Sequence, residues 1–187
     1  MLLLTEIAGI IPVTKEIKTA IQKQFVKRDC IKSECLHEAG KVAKDLYFIE
    51  KGLVRMFYHN DAGKDITYGY YTEGDFITVP DSFFTQTPSK YHMEMMEEGI
   101  LYAITFSDFN QMLIDHPVMQ RLENKTLRAF LLKAGERIAA LQFQSAQERY
   151  DTLMENQPSI IRRASLGTIA SYLGITQETL SRIRARK

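Results

Sequence analysis

The apolar positions of residues 165–187 predict two short helices joined by a tight turn. Two groups of apolar residues lie at helical spacing on either side of a glycine, namely Ile169, Ala170 and Leu173, and then Leu180 and Ile183. The glycine is Gly174, and glycine adopts φ > 0 without steric cost where a helix ends in a sharp turn. Ser165 and Thr176 precede the two helices as N-cap residues. This pattern is typical of a helix-turn-helix.

The polar positions of the second helix carry side chains that suit nucleic acid. They are Gln177, Glu178, Ser181, Arg182, Arg184, Arg186 and Lys187. Gln and Arg make bidentate contacts with base edges, and Glu accepts from the amino group of cytosine. Serine and threonine hydroxyls at a helix N-terminus suit phosphates. The alternative interpretation is an ordinary helical hairpin with a solvated basic face.

Residues 30–106 show the pattern of short strands. In "DLYFIEKGLVRMFYHNDAGKDITYGYYTEGDFI", turn signals at 51–52, 60–64 and 73–75 separate β-rich runs. The segment "GILYAITFSDF" predicts one more strand, followed by a helix start. Evenly spaced short strands indicate an antiparallel barrel or roll. The many aromatic residues of this region fit either a ligand pocket or an ordinary strand core.

Residues 117–143 predict one long helix with an apolar seam. The seam consists of Leu127, Leu131, Ala134, Ile138 and Leu141. Such a seam predicts self-pairing into a dimer, and a helix-turn-helix protein commonly meets two DNA half-sites. The alternative is a helix that packs only on its own domain.

These patterns divide the chain into three segments. A β-roll with an N-terminal helix is predicted at 1–116, a dimerisation helix at 117–143 and a helix-turn-helix domain at 144–187. The fold class is therefore predicted as α+β, with an antiparallel roll of the jelly-roll or double-stranded β-helix type ahead of an all-α domain. The start "MLLLTEIAGIIP" predicts an amphipathic helix and lacks the basic region of a signal peptide. "SAQERYDTLMEN" predicts another helix, capped by Ser145 and ended by Pro158.

Charge is distributed unevenly along the chain. Residues 161–187 hold six Lys/Arg and one acid, a net charge of +5, whereas the other residues hold 18 Lys/Arg and 22 acids, a net charge of −4. Concentrated positive charge at one end is the footprint of phosphate binding.

The remaining composition excludes several classes of protein. Cys30 and Cys35 are the two cysteines, which favours a reducing cytoplasm without a disulfide framework. With His37 they could be read as metal ligands, but ligands in one extended segment point to alternating faces, so we expect no metal. No apolar run approaches the length of a membrane span. No nucleophile–base pair or glycine-rich phosphate loop stands out, so an enzyme is not expected.

A roll, a long helix and a terminal helix-turn-helix together resemble the Crp/Fnr family of bacterial transcription regulators. The resemblance covers nearly the whole chain, and its specific segments are "LYFIEKGLVRMF", "NDAGKD", "GDF", "ERYDTL" and "IASYLGITQETLSRI". It implies that Gln177, Glu178 and Arg182 read bases in the major groove. It also implies that Ser165, Thr176 and Thr179 hold phosphates. Gln177 stands where some members have arginine, so the preferred base at that position is expected to differ.

The resemblance implies a cyclic-nucleotide-binding fold for the roll, but the residues that hold cyclic AMP are incomplete. Gly74 and Asp75, followed by Phe76, match the glycine and the acid that takes a ribose hydroxyl. The phosphate-binding arginine and its hydroxyl neighbour would fall near Ser89 and Lys90. No arginine occurs between residues 55 and 121. Lysine supplies charge without the fork that binds two phosphate oxygens.

The long helix lacks the other half of that site. The hydroxyl pair that meets the adenine in the family would fall at Ala134 and Gly135, which offer no side-chain donor. We therefore expect a roll that does not respond to cyclic AMP. An iron–sulfur sensor usually needs four cysteines, so no cluster is expected, whereas a haem sensor stays open. No cofactor is predicted.

The sequence thus predicts a cytoplasmic, homodimeric, sequence-specific DNA-binding transcription regulator. The expected partners are double-stranded DNA, a second copy of the chain and RNA polymerase, with an unknown small-molecule effector or none, and no membrane. The alternative from another class is a cyclic-nucleotide-binding signalling module whose C-terminal helices contact protein.

Overall fold

The computed structural model describes residues 1–185 and shows a β-roll, a long helix and a group of short C-terminal helices. The roll has eight strands within the described residues. They are β1 (Val26–Cys30), β2 (Cys35–His37), β3 (Asp45–Lys51), β4 (Val54–His59), β5 (Asp65–Tyr71), β6 (Phe76–Ile77), β7 (His92–Met95) and β8 (Gly99–Thr105).

The strands form two four-stranded sheets with every paired neighbour antiparallel. One sheet has the order β1-β8-β3-β6 and the other the order β2-β7-β4-β5. The turns predicted at 51–52, 60–64 and 73–75 all lie between strands, after β3, β4 and β5. The predicted α+β class with an antiparallel roll is confirmed.

Helices precede and follow the roll in sequence, and one short helix lies between β6 and β7. They are α1 (Leu2–Ala8), α2 (Lys15–Gln24), α3 (Pro80–Thr85), α4 (Phe106–Asp115), α5 (Gln120–Phe143), α6 (Ala146–Asn156), α7 (Pro158–Arg163), α8 (Leu166–Leu173) and α9 (Gln177–Ala185). The predicted long helix is shorter at its start, because 117–119 form a 3₁₀ turn ahead of α5. Arg186 and Lys187, both predicted DNA-binding residues, lie outside the described residues.

Three helices, α2, α3 and α7, are absent from the sequence-based prediction. Pro158 was expected only to end α6, yet it is the first residue of α7, a position where proline's fixed φ and missing N–H are tolerated. Thr14 starts α2, since its side chain accepts from the Ile17 N–H at 3.2 Å. α3 and α7 have six residues each, too few to show a helical repeat, whereas α2 has ten residues and carries Ile17 and Ile21 at helical spacing.

Two hydrophobic cores lie within the described chain. The first fills the roll and takes in α1, α2, α4 and Leu122 at the start of α5. The second joins α6 to α9, and it includes Leu53 and Tyr70, which belong to the roll. The C-terminal helices therefore pack against the roll through buried apolar contacts.

The long helix α5 lies at the junction of these cores but leaves much of its surface open. Leu122 is its buried residue, whereas Leu131 and Ile138 have exposed fractions of 73% and 57%. None of the helices within residues 1–185 is long and apolar enough to cross a bilayer.

Candidate nucleic-acid interface and ligand cleft

Helices α8 and α9 form the helix-turn-helix that the sequence predicts. The side chain of Ser165 accepts from the Thr168 N–H at 3.2 Å and so caps α8. Gly174 ends α8 with φ 67°, in the left-handed region. The Ile175 N–H then donates to the Ala170 carbonyl at 3.0 Å, closing the turn. Buried Leu180 and Ile183 hold α9 against α8.

The outer face of α9 is open to solvent. Thr176, Gln177, Glu178, Ser181, Arg182 and Arg184 are all exposed, and Thr179 is half-buried. Gln177 lies against the first turn of α8, since a Cβ built on Gly167 would lie 2.8 Å from its Nε2 atom. A larger residue at 167 would displace Gln177. Gly167 was missed by the sequence prediction, because a glycine inside a helix gives no chemical signal by itself.

Arg182 and Glu178 form an exposed ion pair along α9. Arg182 Nη2 donates to Glu178 Oε1 at 2.5 Å, and both side chains are 73% exposed. An exposed pair of this kind contributes little to stability. The pair holds the guanidinium along one face of the helix, where a base edge can compete for it.

Two hydroxyl pairs mark the starts of the two helices. Ser165 and Thr168 have their hydroxyls 3.0 Å apart at α8, and Thr176 and Thr179 have theirs 2.9 Å apart at α9. Thr176 also accepts from the Thr179 N–H at 3.1 Å. Hydroxyls beside the positive end of a helix dipole suit phosphate oxygens.

The helix-turn-helix is anchored to the roll through α8. Ser171 Oγ accepts from the Thr67 N–H at 2.9 Å and donates to the Asp65 carbonyl at 3.0 Å. Both partners lie on β5, so one hydroxyl ties α8 to the edge of a sheet. The rings of Tyr70 on β5 and Tyr172 on α8 meet edge to face at 5.5 Å.

A second anchor is ionic. Arg163, the last residue of α7, donates to both oxygens of Glu73 at 2.8 and 3.0 Å and to Glu97 at 2.6 Å. The hydrogen bonds that the Arg163 guanidinium donates to Glu97 raise the pKa of Arg163. Burial opposes ionisation of Glu73, but the Arg163 guanidinium and the Gly52 N–H lower the pKa of that carboxyl. Two carboxylates of the roll thus hold one arginine of the C-terminal helices.

A large cavity lies where the roll, α5 and the C-terminal helices meet. This cleft has a volume of about 890 Å³ and is lined by residues of all three parts, among them Tyr68, Lys90, Tyr91, Lys133, Arg137 and Tyr172. A volume of this size is usual for small-molecule pockets.

The predicted effector residues do not come together in one place. Gly74, Asp75 and Phe76 line a smaller cavity of about 140 Å³, whereas Lys90 lines the large cleft. Ser89 is buried, and its Oγ accepts from the Tyr91 N–H at 3.1 Å. Lys90 Nζ lies over the rings of Tyr58 and Tyr91, 5.5 and 5.7 Å from their centroids.

The carboxylate of Asp75 already accepts hydrogen bonds from other residues of the chain. Its Oδ2 accepts from the Thr72 N–H at 3.0 Å, and its Oδ1 accepts from Lys133 Nζ at 3.0 Å. Phe76 packs on Phe48 with ring centroids 4.9 Å apart and contributes to the core. Gly74 holds φ 88°, a conformation that favours glycine.

Comparison with known proteins identifies a domain model and several proteins that this chain resembles. Residues 27–116 match the model of the cyclic nucleotide-binding domain. The fumarate and nitrate reduction regulatory protein of Yersinia pestis is 23% identical over 171 residues, which cover 86% of this chain and 68% of that protein. Over most of its length the chain is similar to transcriptional regulators of the Crp/Fnr family.

Solved structures of Crp/Fnr regulators share the fold. FixK2 from Bradyrhizobium japonicum has a TM-score of 0.72 at 21% identity, covering 87% of this chain and 83% of that one. A Crp/Fnr-family transcriptional regulator from Eubacterium rectale has a TM-score of 0.74 at 17% identity, covering 94% and 85%. The resemblance inferred from the sequence motifs is confirmed.

The seam predicted for dimerisation lies on the surface of the chain. The exposed fractions are 37% for Leu127, 73% for Leu131, 57% for Ile138 and 47% for Leu141, while Ala134 is half-buried and lines the large cleft. Leu141 also approaches the helix-turn-helix, since a Cβ on Gly174 would lie 3.3 Å from its Cδ2. Exposed apolar side chains aligned on one helix mark an interaction surface.

Proposed function

We propose that this Crp/Fnr regulator binds duplex DNA in a sequence-specific manner, with α9 in the major groove. The observation that carries the proposal is the division of α9 into two faces. Leu180 and Ile183 are buried against α8, whereas Gln177, Glu178 and Arg182 are exposed. Arg binds guanine bidentately, Gln binds adenine, and Glu accepts from cytosine. The solvent-exposed face of α9 therefore carries the side chains that can bind base edges.

The residues that cap α8 and α9 are the ones that we expect to contact the phosphate backbone of DNA. The hydroxyl pairs at the starts of α8 and α9 lie where phosphate oxygens meet a positive helix dipole. Phosphate contacts fix register, and base contacts give specificity. We assign Ser165, Thr176 and Thr179 to the first role and Gln177, Glu178, Ser181 and Arg182 to the second. Arg184, Arg186 and Lys187 add positive charge at the end of the chain.

The functional unit in this proposal is a homodimer formed through α5. Its exposed apolar seam supports the pairing, and pairing places two copies of α9 side by side. Two recognition helices read half-sites about 34 Å apart, one turn of DNA. The proposed location is the cytoplasm, where duplex DNA and RNA polymerase are met. Contact with RNA polymerase remains a prediction with no surface assigned to it.

We propose that the roll acts as a sensor that does not bind or respond to cyclic AMP. Asp75 is bound by Lys133, Lys90 rests on two tyrosine rings, and α5 presents Ala134 and Gly135. The groups that would bind a ribose, a cyclic phosphate and an adenine are thus engaged or missing. The other candidate, a signalling module whose C-terminal helices bind protein, lacks support from the comparisons, which yield transcription regulators.

Selection from a random DNA pool tests this function. The purified chain is incubated with duplexes carrying a randomised centre, and the bound fraction is amplified and sequenced. The proposal predicts an inverted repeat whose half-sites are centred about 10 base pairs apart. Recovery of no motif, by a chain shown to be folded, overturns it. Arg121→Ala, an exposed change on α5, serves as control and is expected to select the same motif as the wild type.

A further inference from the structure

The large cleft contains two cations that have no carboxylate partner. Among residues 1–185, neither Arg137 nor Lys90 forms an ion pair, whereas Lys133 in the same cleft is paired with Asp75. The Arg137 guanidinium lies 4.4 Å from the ring centroid of Tyr172. A charge removed from water is costly unless a counter-charge or hydrogen bonds compensate for it.

Arg137 is half-buried, and no residue of the described part of the chain accepts a hydrogen bond from its guanidinium. Burial lowers the pKa of Arg137, and the positive charge of the neighbouring Arg149 lowers it further. Arg149 is itself a cation and cannot neutralise Arg137; its guanidinium donates to the carbonyls of Leu173 and Gln144 at 2.8 and 2.5 Å. The site therefore favours an anion at Arg137.

Aromatic rings, among them Tyr68, Tyr91 and Tyr172, line part of this cleft, and Asp81 and Glu136 also line it. Tyr91 meets Tyr68 and Tyr58 edge to face, with ring centroids 5.2 and 5.7 Å apart. Lys90 rests on two of these rings, and Tyr172 forms the opposite side beneath Arg137. Tyrosine faces and edges accept another aromatic ring in offset or edge-to-face contact. A ring and an anion on one small molecule would use both features of the cleft.

We propose that this cleft binds a small aromatic carboxylate. Arg137 takes the carboxylate through its planar fork, Lys90 adds a second positive charge, and the ring lies among Tyr68, Tyr91 and Tyr172. This inference rests on the proposed role of the roll as a sensor, and it names the class of effector. It does not depend on DNA binding.

Ligand binding there would join three parts of the molecule. Tyr172 lies on α8, Arg137 on α5, and Tyr68 and Lys90 in the roll. A ligand that contacts all three favours the arrangement in which they are close together. The effector therefore acts on the position of the helix-turn-helix relative to the dimer helix.

Calorimetric titration of the full chain with three probes tests the ligand class. Benzoate carries both ring and carboxylate, benzamide keeps the ring and shape without the charge, and acetate keeps the charge without the ring. Benzoate is expected to bind with a dissociation constant of about 1 mM or better, which is within reach of a fragment of this size. Benzamide loses the charged hydrogen bond and acetate loses the buried ring, so each is expected to bind at least about tenfold more weakly than benzoate. Equal binding of all three, or no binding of benzoate, overturns the proposal.

Substitution of Arg137 locates the binding site. Arg137→Met keeps the length of the side chain and removes the charge, and it is expected to weaken benzoate binding by roughly ten- to a hundredfold. Arg137→Lys keeps the charge without the fork and should fall between that variant and the wild type. Arg121→Met is the matched control on the same helix and should bind like the wild type. Unchanged benzoate affinity in folded Arg137→Met overturns the site.

The DNA readout separates this inference from the proposed function. The same preparations are titrated into the selected duplex. Benzoate binding without DNA binding would leave the ligand site standing and contradict the regulator proposal. DNA binding without benzoate binding would support the regulator proposal and contradict the ligand site.

Discussion

Lys133 Nζ lies 3.0 Å from Asp75 Oδ1, and this ion pair joins the long helix α5 to the turn before β6. Asp75 is the acid that the family resemblance assigns to a ribose hydroxyl. Here its carboxylate is held from within the protein, by Lys133 on one oxygen and by the Thr72 N–H on the other. A nucleotide would have to displace Lys133 before its ribose could reach this group.

Cyclic AMP is therefore expected to leave the stability of the roll unchanged. A ligand at a hundred times its dissociation constant raises the free energy of unfolding by about 2.7 kcal/mol. Thermal unfolding with and without cyclic AMP measures this directly. Lys133→Met, which frees Asp75, should also show no shift, because the arginine for the cyclic phosphate is still missing. A clear shift in the wild type would contradict the account of the roll.

Gly174→Ala should destabilise the C-terminal helices. Gly174 has φ 67°, and a Cβ there would lie 3.3 Å from Leu141 Cδ2. Alanine is strained in the left-handed region, and the expected loss is about 1–2 kcal/mol in the free energy of unfolding. Urea unfolding measures it. Gly63→Ala is a useful comparison, because φ is 72° there but nothing lies within 4 Å of the added Cβ. The free energy of unfolding should fall less in Gly63→Ala than in Gly174→Ala.

Ile138→Glu should dissociate the dimer. Ile138 is 57% exposed in one chain and belongs to the predicted seam, so pairing would bury it and a carboxylate there would be desolvated without a partner. Leu132→Glu is the matched control, since Leu132 is 65% exposed on the same helix but lies off the seam. Light scattering coupled to gel filtration reports the mass. A dimer that survives Ile138→Glu would place the interface elsewhere.

The free energy of unfolding should fall as the pH drops below about 6.5, the usual histidine pKa. Burial lowers the pKa of His37 on β2, and His92 on β7 adds to this. Burial also lowers the pKa of His92, with a further contribution from His59. Between the folded and unfolded pKa values the unfolded chain binds more protons, so acid favours unfolding.

Urea unfolding at pH 7.5 and 5.5 measures that dependence. Each histidine contributes up to about 1.4 kcal/mol per pH unit within its window. His37→Gln removes one of the two histidines and should reduce the slope of the unfolding free energy against pH. An equal slope in His37→Gln and the wild type would contradict the assignment.

Much of the fold could be predicted because its signals are local. The left-handed turn at Gly174 and the cap at Ser165 depend on residues within a few positions of each other, and both appear as expected. The turns between β3, β4 and β5 follow from glycine and short polar runs in the same way. The recognition face of α9 could be predicted for the same reason, since helical spacing alone separates its buried and exposed residues.

The ligand cleft could not be predicted, because its residues come from distant parts of the chain. Arg137 on α5 meets Tyr172 on α8 and shares a cleft with Lys90 of the roll. Of these three residues, only Lys90 is predicted from the sequence, together with Ser89, as a position near a phosphate site. One local signal existed: Lys133 and Arg137 are four residues apart on a helix, so both basic side chains lie on one face. Only the packing shows that this face meets the roll.

The affinity of the dimer for its selected duplex, measured by fluorescence anisotropy across a salt series, tests the central claim most directly. The account predicts that log K falls linearly with log[salt], with a slope of about −0.9 for each phosphate neutralised. It also predicts that Arg182→Ala narrows the preference for the selected site over a scrambled duplex by about 1–3 kcal/mol. Affinity that is independent of salt, and equal for both duplexes in the wild type and the variant, would contradict a DNA-binding regulator.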